Sequence, residues 1–309
     1  MDTQPLDSSA TTAAPSHPSL LTSLPALAGI ATAMVSVQIG ASFAKSLFPA
    51  VGAQGATALR VTIAALILAA VFRPWRNLPP RSAWPVLGGY GLALGVMNLS
   101  FYTALQTIPL GVAVALEFTG PLAVAVLSSR RWIDFLWIAL AVAGLAILLP
   151  IWKQAHPINP LGVGFALGAG VCWALYIVFG NRAGAAHGPG ATAIGMVIAA
   201  LVVLPVGVAQ AGTALLSPAL LPVALGVALL SSVLPYSFEM FALTRIPIRV
   251  FGTLMSAEPA IAGVMGWLIL HERLTAPQWA AIGAIMAASL GATLTMGRAA
   301  TLAEVPPTT

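Results

Sequence analysis

The chain has 309 residues, of which 59% are hydrophobic and 7% are charged, and its formal net charge is +5. Soluble domains carry roughly 25% charged residues, so this composition excludes a soluble globular protein and indicates a polytopic membrane protein. A basic balance is also typical of nucleic-acid-binding proteins. Here, however, the arginines stand singly or in pairs between apolar runs, so we predict no nucleic-acid partner.

Ten apolar runs follow one another along the chain, each near the roughly 20 residues that a helix needs to cross a bilayer. Short connections rich in proline and glycine, such as "FRPWRNLPPRS" and "HPINPLG", separate them. We therefore predict an all-α protein with ten transmembrane helices in a lipid bilayer. The predicted spans are 24–44, 55–72, 84–105, 110–128, 133–150, 161–179, 190–209, 219–242, 250–270 and 277–296.

The two ends of the chain differ from the spans. Residues 1–20 are polar and rich in Ser, Thr, Ala and Pro, which predicts a disordered tail. This tail contains no lysine or arginine and lacks the basic n-region of a signal peptide, so we expect the first apolar run to remain as a helix. Residues 298–309 are predicted to form a second tail.

Lysine and arginine are distributed unequally between the two sides of the predicted bundle. Nine lie on the side of both termini, and Lys45, Lys153 and Arg273 lie on the other. Cytoplasmic loops carry the excess of basic residues, so we predict a multi-pass inner-membrane protein with both termini in the cytoplasm. Arg60 lies inside the second run, about five residues from its external end, where snorkelling or an internal partner explains it. The nine are Arg73, Arg76, Arg81, Arg130, Arg131, Arg182, Arg245, Arg249 and Arg298.

The second half of the chain resembles the first. "GATALRVTIAAL" (55–66) and "GATAIGMVIAAL" (190–201) are identical at eight of twelve positions, at an offset of 135 residues. A second alignment, of 103–123 with 241–261, has an offset of 138 and also matches the two prolines Pro121 and Pro259. We predict two five-helix repeats, 21–150 and 151–297. Because five is odd, the repeats would be inverted, an arrangement that places a substrate site near the midplane.

Each repeat contains a proline that breaks its fourth helix. Pro121 has no N–H, so the carbonyl of Glu117 loses its helical partner, and Pro259 does the same to Met255. Lipid cannot satisfy a free carbonyl, so both helix breaks are predicted to face protein, water or a ligand.

Two glutamates lie beside these breaks. A carboxylate near the bilayer centre costs on the order of 2.5–3.5 kcal/mol, so Glu117 and Glu258 are predicted to be either paired or protonated part of the time. We assign them, with Glu239 near the cytoplasmic end of its span, to proton coupling. Binding of a substrate ammonium, or a hydrogen bond to a neighbouring helix, are the alternatives.

Further polar and aromatic residues lie within the spans, in pairs that share a helix face. They are candidates to bind a small zwitterion through amide and hydroxyl donors and an aromatic face. Interhelical hydrogen bonds are the alternative for each. The pairs are Gln38 and Ser42, Asn98 and Tyr102, and Trp173 and Tyr176.

The sequence indicates no chemistry besides transport. Cys172 is the single cysteine and no cluster of cysteine and histidine accompanies it, so we predict neither a metal site nor a cofactor. No Walker loop and no Ser/His/Asp constellation is present. An intramembrane enzyme or a receptor therefore ranks below a transporter.

The motifs "IPLGVAVALEFTGPLAVAVLSSRRWIDFLW" and "PYSFEMFALTRIPIRVFGTLMSAEPAIAG", followed by "HERLTAPQW", resemble the drug/metabolite transporter superfamily. Within it, the chain from about residue 20 to 297 is similar to the EamA-type threonine/homoserine exporters. The resemblance implies efflux of small hydrophilic amino acids, driven by proton influx. The superfamily also contains drug and nucleotide-sugar carriers, which stay open as alternatives, as do a monomer and a dimer.

Overall fold

The computed structural model of the chain describes residues 20–127, 132–148, 158–187, 189–243 and 254–303, and these residues contain helices and no strand. The helices of the first half are α1 (Leu20–Lys45), α2 (Phe48–Phe72), α3 (Trp84–Ala104), α4 (Leu110–Glu117), α5 (Thr119–Leu127) and α6 (Trp132–Leu148). Those of the second half are α7 (Pro160–His187), α8 (Pro189–Ala211), α9 (Leu221–Ala228), α10 (Leu234–Leu243), α11 (Glu258–Leu270) and α12 (Ala276–Ala303). A π-helical turn, Leu229–Val233, joins α9 to α10. The all-α prediction is confirmed for these residues.

Several helices have the length and composition of membrane spans. Five stretches of the described residues are long and apolar enough to cross a bilayer: Leu27–Lys45, Phe48–Phe72, Pro160–Gly184, Gly190–Leu216 and Pro218–Glu239. Shorter apolar helices occupy Leu110–Val124, Phe135–Leu148 and Glu258–Leu270. The predicted tail 1–20 lies outside the described residues apart from Leu20, and so do Arg130, Arg131, Lys153, Arg245 and Arg249.

The bounds of two helices differ from the prediction. Helix α2 begins at Phe48, with Pro49 in its first turn, and it bends at Gly52, whose φ of 68° is readily adopted only by glycine. The helix resumes directly after this kink, close to the predicted start at residue 55, and the turn before Gly52 was not predicted. Arg60 lies in the middle of the 25-residue helix, too deep for snorkelling, and its hydrogen bonds to Asn98, Ser231 and Ser232 confirm the internal partner that was the other expectation. Helix α12 continues to Ala303, past residue 297.

The core of the bundle lies between the two halves of the chain. Helix α2 packs on α8, α3 on α7 and α8, α4 on α11, and α6 on α12. Helix α1 packs on α10 and α11. The largest buried cluster joins side chains of both halves, including Val51, Leu110, Leu116 and Ile285. Groups at the centre are thus buried by contacts that cross from one half to the other.

Glycines permit some of these close contacts. Gly91 and Gly95 lie against Ile198 and Ala199 of α8, as the GxxxG spacing predicts. The same spacing at Gly164 and Gly168 has open space beside it, so spacing alone did not distinguish a packed face from an exposed one.

The crossing of α4 and α11 gives a test of this packing. A Cβ on Gly111 would lie 2.6 Å from the Cα atom of Gly263, and because both atoms belong to backbone, neither can move aside cheaply. We expect Gly111→Ala to destabilise the fold by about 1–3 kcal/mol, the usual cost of overpacking.

Thermal unfolding of the purified protein in detergent measures the effect, and Gly164→Ala is the matched control. Gly164 has nothing within 4 Å of its added Cβ, so alanine there should leave the Tm unchanged or raise it. Equal Tm values for both variants would contradict the close approach of α4 and α11 at Gly111 and Gly263.

Candidate functional site

Glu117 and Glu258 lie at neighbouring helix ends in the centre of the bundle. Glu117 is the last residue of α4 and Glu258 is the first of α11, and each is 8% exposed. Helices α4 and α11 pack on one another, and the two carboxyl groups interact electrostatically. The fold therefore brings together the two acidic groups that the sequence singles out.

Both glutamates lie at a discontinuity of the helix. Helix α4 ends at Glu117 and α5 begins at Thr119, two residues before Pro121. The carbonyl oxygen of Glu117 faces Gly170 of α7, where a Cβ would lie 2.8 Å from it. In the second half, α11 begins at Glu258, directly before Pro259, after a turn at 256–257.

Gln38 of α1 holds one oxygen of Glu258. Its Nε2 donates a hydrogen bond of 3.1 Å to Oε1, and both side chains are buried. Among the described residues, Oε2 of Glu258 has no hydrogen-bond partner although it is buried. One carboxyl oxygen is thus held in place, while the other keeps its capacity for a proton or a donor.

Arg60 of α2 belongs to the same buried region as these carboxyl groups and is 3% exposed. Its Nη1 donates to the carbonyl of Ser231 at 3.2 Å, to the hydroxyl of Ser231 at 3.1 Å and to the hydroxyl of Ser232 at 2.8 Å. Its Nη2 donates to Oδ1 of Asn98. The guanidinium stacks on the ring of Tyr102, 4.7 Å from its centroid, and interacts electrostatically with Glu117.

The π-helical turn explains why an arginine contacts backbone here. Leu234 N–H bonds to the carbonyl of Leu229, five residues back. Pro235 has no N–H, so it supplies no helical donor to the carbonyl of Leu230, five residues before it, or to that of Ser231, four residues before it. The hydroxyl of Ser36 donates to Leu230 at 2.7 Å, and Arg60 donates to Ser231. Both donors come from the first half, so the break in the second half is satisfied across the interface.

Asn98 and Tyr102 of α3 belong to this cluster. Asn98 keeps its own orientation through a 2.8 Å hydrogen bond from Nδ2 to the carbonyl of Leu94. Tyr102 forms a side-chain hydrogen bond with Ser231 and is 2% exposed. We name the group formed by Gln38, Arg60, Asn98, Tyr102, Glu117, Ser231, Ser232 and Glu258 the central cluster.

The other candidate residues lie around the central cluster. Trp173 packs edge-on against Phe118, with ring centroids 5.4 Å apart. Tyr176 stacks on Tyr90 at 5.0 Å. Glu239, on α10, interacts electrostatically with Glu258.

Ser42 faces a different part of the molecule. Its hydroxyl donates to the carbonyl of Gln38 in the same helix at 2.8 Å. The residue lines a cavity of about 380 Å³, together with Phe43, Lys45, Ser46, Ile269 and Leu270.

An ion pair lies beside this cavity. Lys45 Nζ is 2.7 Å from Oε1 of Glu272, and Oε2 of the same carboxylate accepts a 2.7 Å hydrogen bond from the backbone N–H of Leu110. Glu272 thus joins the end of α1, the connection after α11 and the start of α4. We name this contact the Lys45–Glu272 latch.

The sequence patterns did not identify Arg60 and its serine partners as members of the site. The signal was present in the chain, because Pro235 follows Ser231 by four residues, the same spacing that relates Pro121 to Glu117. A free carbonyl in an apolar run predicts a donor, and Arg60 is the one arginine within a predicted span.

The family and the relatives that match this chain are transporters. The EamA-like transporter family matches residues 160–294. The threonine/homoserine exporter RhtA of Escherichia coli K12 is 56% identical over 274 residues, which is 88% of this chain and 92% of that protein. RhtA of Salmonella typhimurium LT2 is equally similar, with 56% identity over the same shares.

Two more distant matches extend the comparison. An uncharacterised transporter of Bacillus subtilis, YwfM, is 29% identical over 213 residues, 66% of this chain and 71% of that protein. One solved crystal structure has a TM-score of 0.55 at 20% identity and covers 88% of this chain and 98% of its own. This last similarity concerns the fold alone.

Proposed function

Because the chain belongs to the EamA-like transporter family of the drug/metabolite transporter superfamily, we propose that it exports small hydrophilic amino acids, threonine and homoserine, across the bacterial inner membrane. The observation that carries this proposal is the 56% identity to a threonine/homoserine exporter over 88% of the chain. A buried cluster with both a guanidinium and carboxyl groups, suited to a zwitterion, supports it.

We infer that the helices form ten spans in two inverted repeats. In support, the packing between helices is nearly unchanged when the halves are exchanged. The pairs α2–α8, α4–α11 and α6–α12 join equivalent helices, and α3–α7 has its counterpart in α10–α1. In this arrangement α4 with α5 forms one span, and α9 with α10 forms another.

The surface of the bundle is suited to lipid. Large apolar side chains are exposed on helices of both halves, and a bilayer would cover them. The excess of lysine and arginine supports cytoplasmic termini, and on that topology the Lys45–Glu272 latch lies at the external side. The exposed side chains include Leu66, Val71, Phe135, Val142, Leu161, Val171, Leu201 and Trp267.

The mechanism that we propose is alternating access with proton antiport. Glu117, Glu258 and Glu239 carry the proton, and Gln38, Asn98 and Tyr102 contact the substrate, with Trp173 and Tyr176 beside them and Ser42 on the external path. A proton that moves inward gains about 2.3 kcal/mol per 100 mV of membrane potential. Since about 1.4 kcal/mol is a factor of ten, one proton suffices to concentrate a neutral zwitterion outward.

Counterflow in proteoliposomes tests the substrate. We expect vesicles preloaded with unlabelled threonine or homoserine to accumulate external radiolabelled threonine, and vesicles preloaded with a nucleotide sugar or a hydrophobic cation to accumulate none. Empty liposomes are the control. Absence of threonine counterflow from folded protein would contradict amino-acid export, and exchange with the nucleotide sugar or the cation would favour the other carriers of the superfamily.

Replacing the central carboxyl groups tests coupling. We expect Glu117→Gln and Glu258→Gln to abolish threonine efflux that is driven by a pH gradient, because a glutamine binds no proton. Counterflow, which needs no net proton movement, should persist and shows that the variants fold. Normal pH-driven efflux in both variants would contradict the proton-coupling role.

The Lys45–Glu272 latch gives a test of external closure. In a Cys172→Ser background that carries Ser42→Cys, we expect Lys45→Gln or Glu272→Gln to accelerate labelling by an external, membrane-impermeant maleimide. Ser42 is 1% exposed, so labelling reports opening beside the ion pair. Arg273→Gln is the matched control, since Arg273 is exposed next to Glu272. Labelling at the same rate in all variants would show that the latch does not close this path.

A further inference from the structure

Arg60 carries a buried positive charge that its hydrogen-bond partners do not neutralise. All of its acceptors are neutral: the carbonyl and hydroxyl of Ser231, the hydroxyl of Ser232 and the amide of Asn98. Among the described residues the ion pair within 4.0 Å is Lys45–Glu272, so no carboxylate contacts Arg60 directly. A charged arginine in the middle of a span is costly, and a carboxylate in direct contact with the guanidinium would lower that cost.

The unused capacity of the guanidinium is on one edge. Nη1 donates to the serines and Nη2 to Asn98, whereas Nε is buried and has no partner among the described residues. Nε–H and the adjacent Nη2–H form the fork that binds a carboxylate through two parallel hydrogen bonds. In this structure, a single neutral amide oxygen meets that fork.

We propose that the Nε–Nη2 edge of Arg60 binds the α-carboxylate of the exported amino acid, which displaces the amide oxygen of Asn98. This inference rests on the proposed function and names the part of the substrate that the central cluster recognises. The serines fix Nη1, and the ring of Tyr102 lies under the guanidinium plane, so the free edge is held in one orientation. Such preorganisation lowers the entropy lost on binding.

The charges around Arg60 match the other end of an amino acid. Glu117 interacts electrostatically with both Arg60 and Glu258, so buried carboxyl groups lie in the same cluster as the guanidinium. A zwitterion that places its carboxylate on Arg60 directs its ammonium toward these glutamates. Because a zwitterion carries no net charge, its arrival leaves the total charge of the cluster unchanged, whereas an amine without a carboxylate adds a cation beside Arg60.

A purely structural role explains less of the geometry. The hydroxyl of Ser231 already donates to the carbonyl of Val227 at 2.6 Å, so this hydroxyl has a partner without the guanidinium. The freed carbonyl of Ser231 needs one donor, which a neutral side chain would supply. At the matching position of the second half the residue is Gly195, against which the ring of Tyr90 packs, so a helix in this position does not require a cation.

Equilibrium binding of radiolabelled threonine to the purified full-length protein tests the assignment. Loss of a charge-assisted, bidentate contact should raise the Kd in Arg60→Gln by about tenfold to a hundredfold. Arg60→Lys, which keeps the charge and loses the fork, should bind with intermediate affinity. The matched control is Arg76→Gln, an exposed arginine just beyond the same helix, and its Kd should not change.

Competition against wild-type protein tests the same contact without any substitution. We expect unlabelled threonine to displace the label, and threoninol, which keeps the amine and lacks the carboxylate, to displace none at the same concentration. If Arg60→Gln fails to fold, this competition still tests whether the protein recognises the carboxylate. Effective competition by threoninol, or an unchanged Kd in folded Arg60→Gln, overturns the assignment to Arg60 and leaves amino-acid export standing. Absence of threonine binding and counterflow in wild-type protein overturns the proposed function itself.

Discussion

The structure depends on one constraint: a polar backbone or charged group at membrane depth must find its partner inside the protein. Pro235 supplies no helical donor to two carbonyls of the π-helical turn, and Ser36 and Arg60 donate hydrogen bonds to them. The break at Glu117 lies against Gly170 of α7. In each case the contact comes from the other half of the chain. The discontinuities that weaken single helices are therefore the places where the two halves are joined.

The same constraint connects the central cluster to the Lys45–Glu272 latch. Helix α1 carries both Gln38, which bonds to Glu258, and Lys45, which pairs with Glu272. These acidic residues lie directly at the start of α11 and just beyond its end. Helices α1 and α11 are thus held together at two points, one in the cluster and one in the latch. In the proposed mechanism, a proton or a substrate ammonium at Glu258 would compete with Gln38 and so weaken one of these two contacts.

Sequence patterns predicted much of this arrangement because composition and proline spacing act locally. The all-α class follows from the apolar runs, and the motifs around Glu117 and Glu258 indicated the family that the comparisons confirm. The turn of α2 before Gly52 did not follow from the sequence, because this glycine reads as a helix end. Nor did the environment of Arg60, since its partners Asn98 and Ser231 are 38 and 171 residues away along the chain, and only tertiary packing brings them together.

Duplication accounts for the helix breaks of the proposed repeats, but it does not account for their charges. At the offsets that relate the halves, Arg60 corresponds to Gly195, Glu117 to Met255 and Glu258 to Gly120. Each charged group therefore has an uncharged counterpart, and Arg60 and Glu117 come from the first half while Glu258 comes from the second. Two equivalent charged sites would compete for one central space. On the proposed duplication, divergence of the repeats leaves a single cluster with a positive and a negative end, which would bind the proposed amino acid in one orientation.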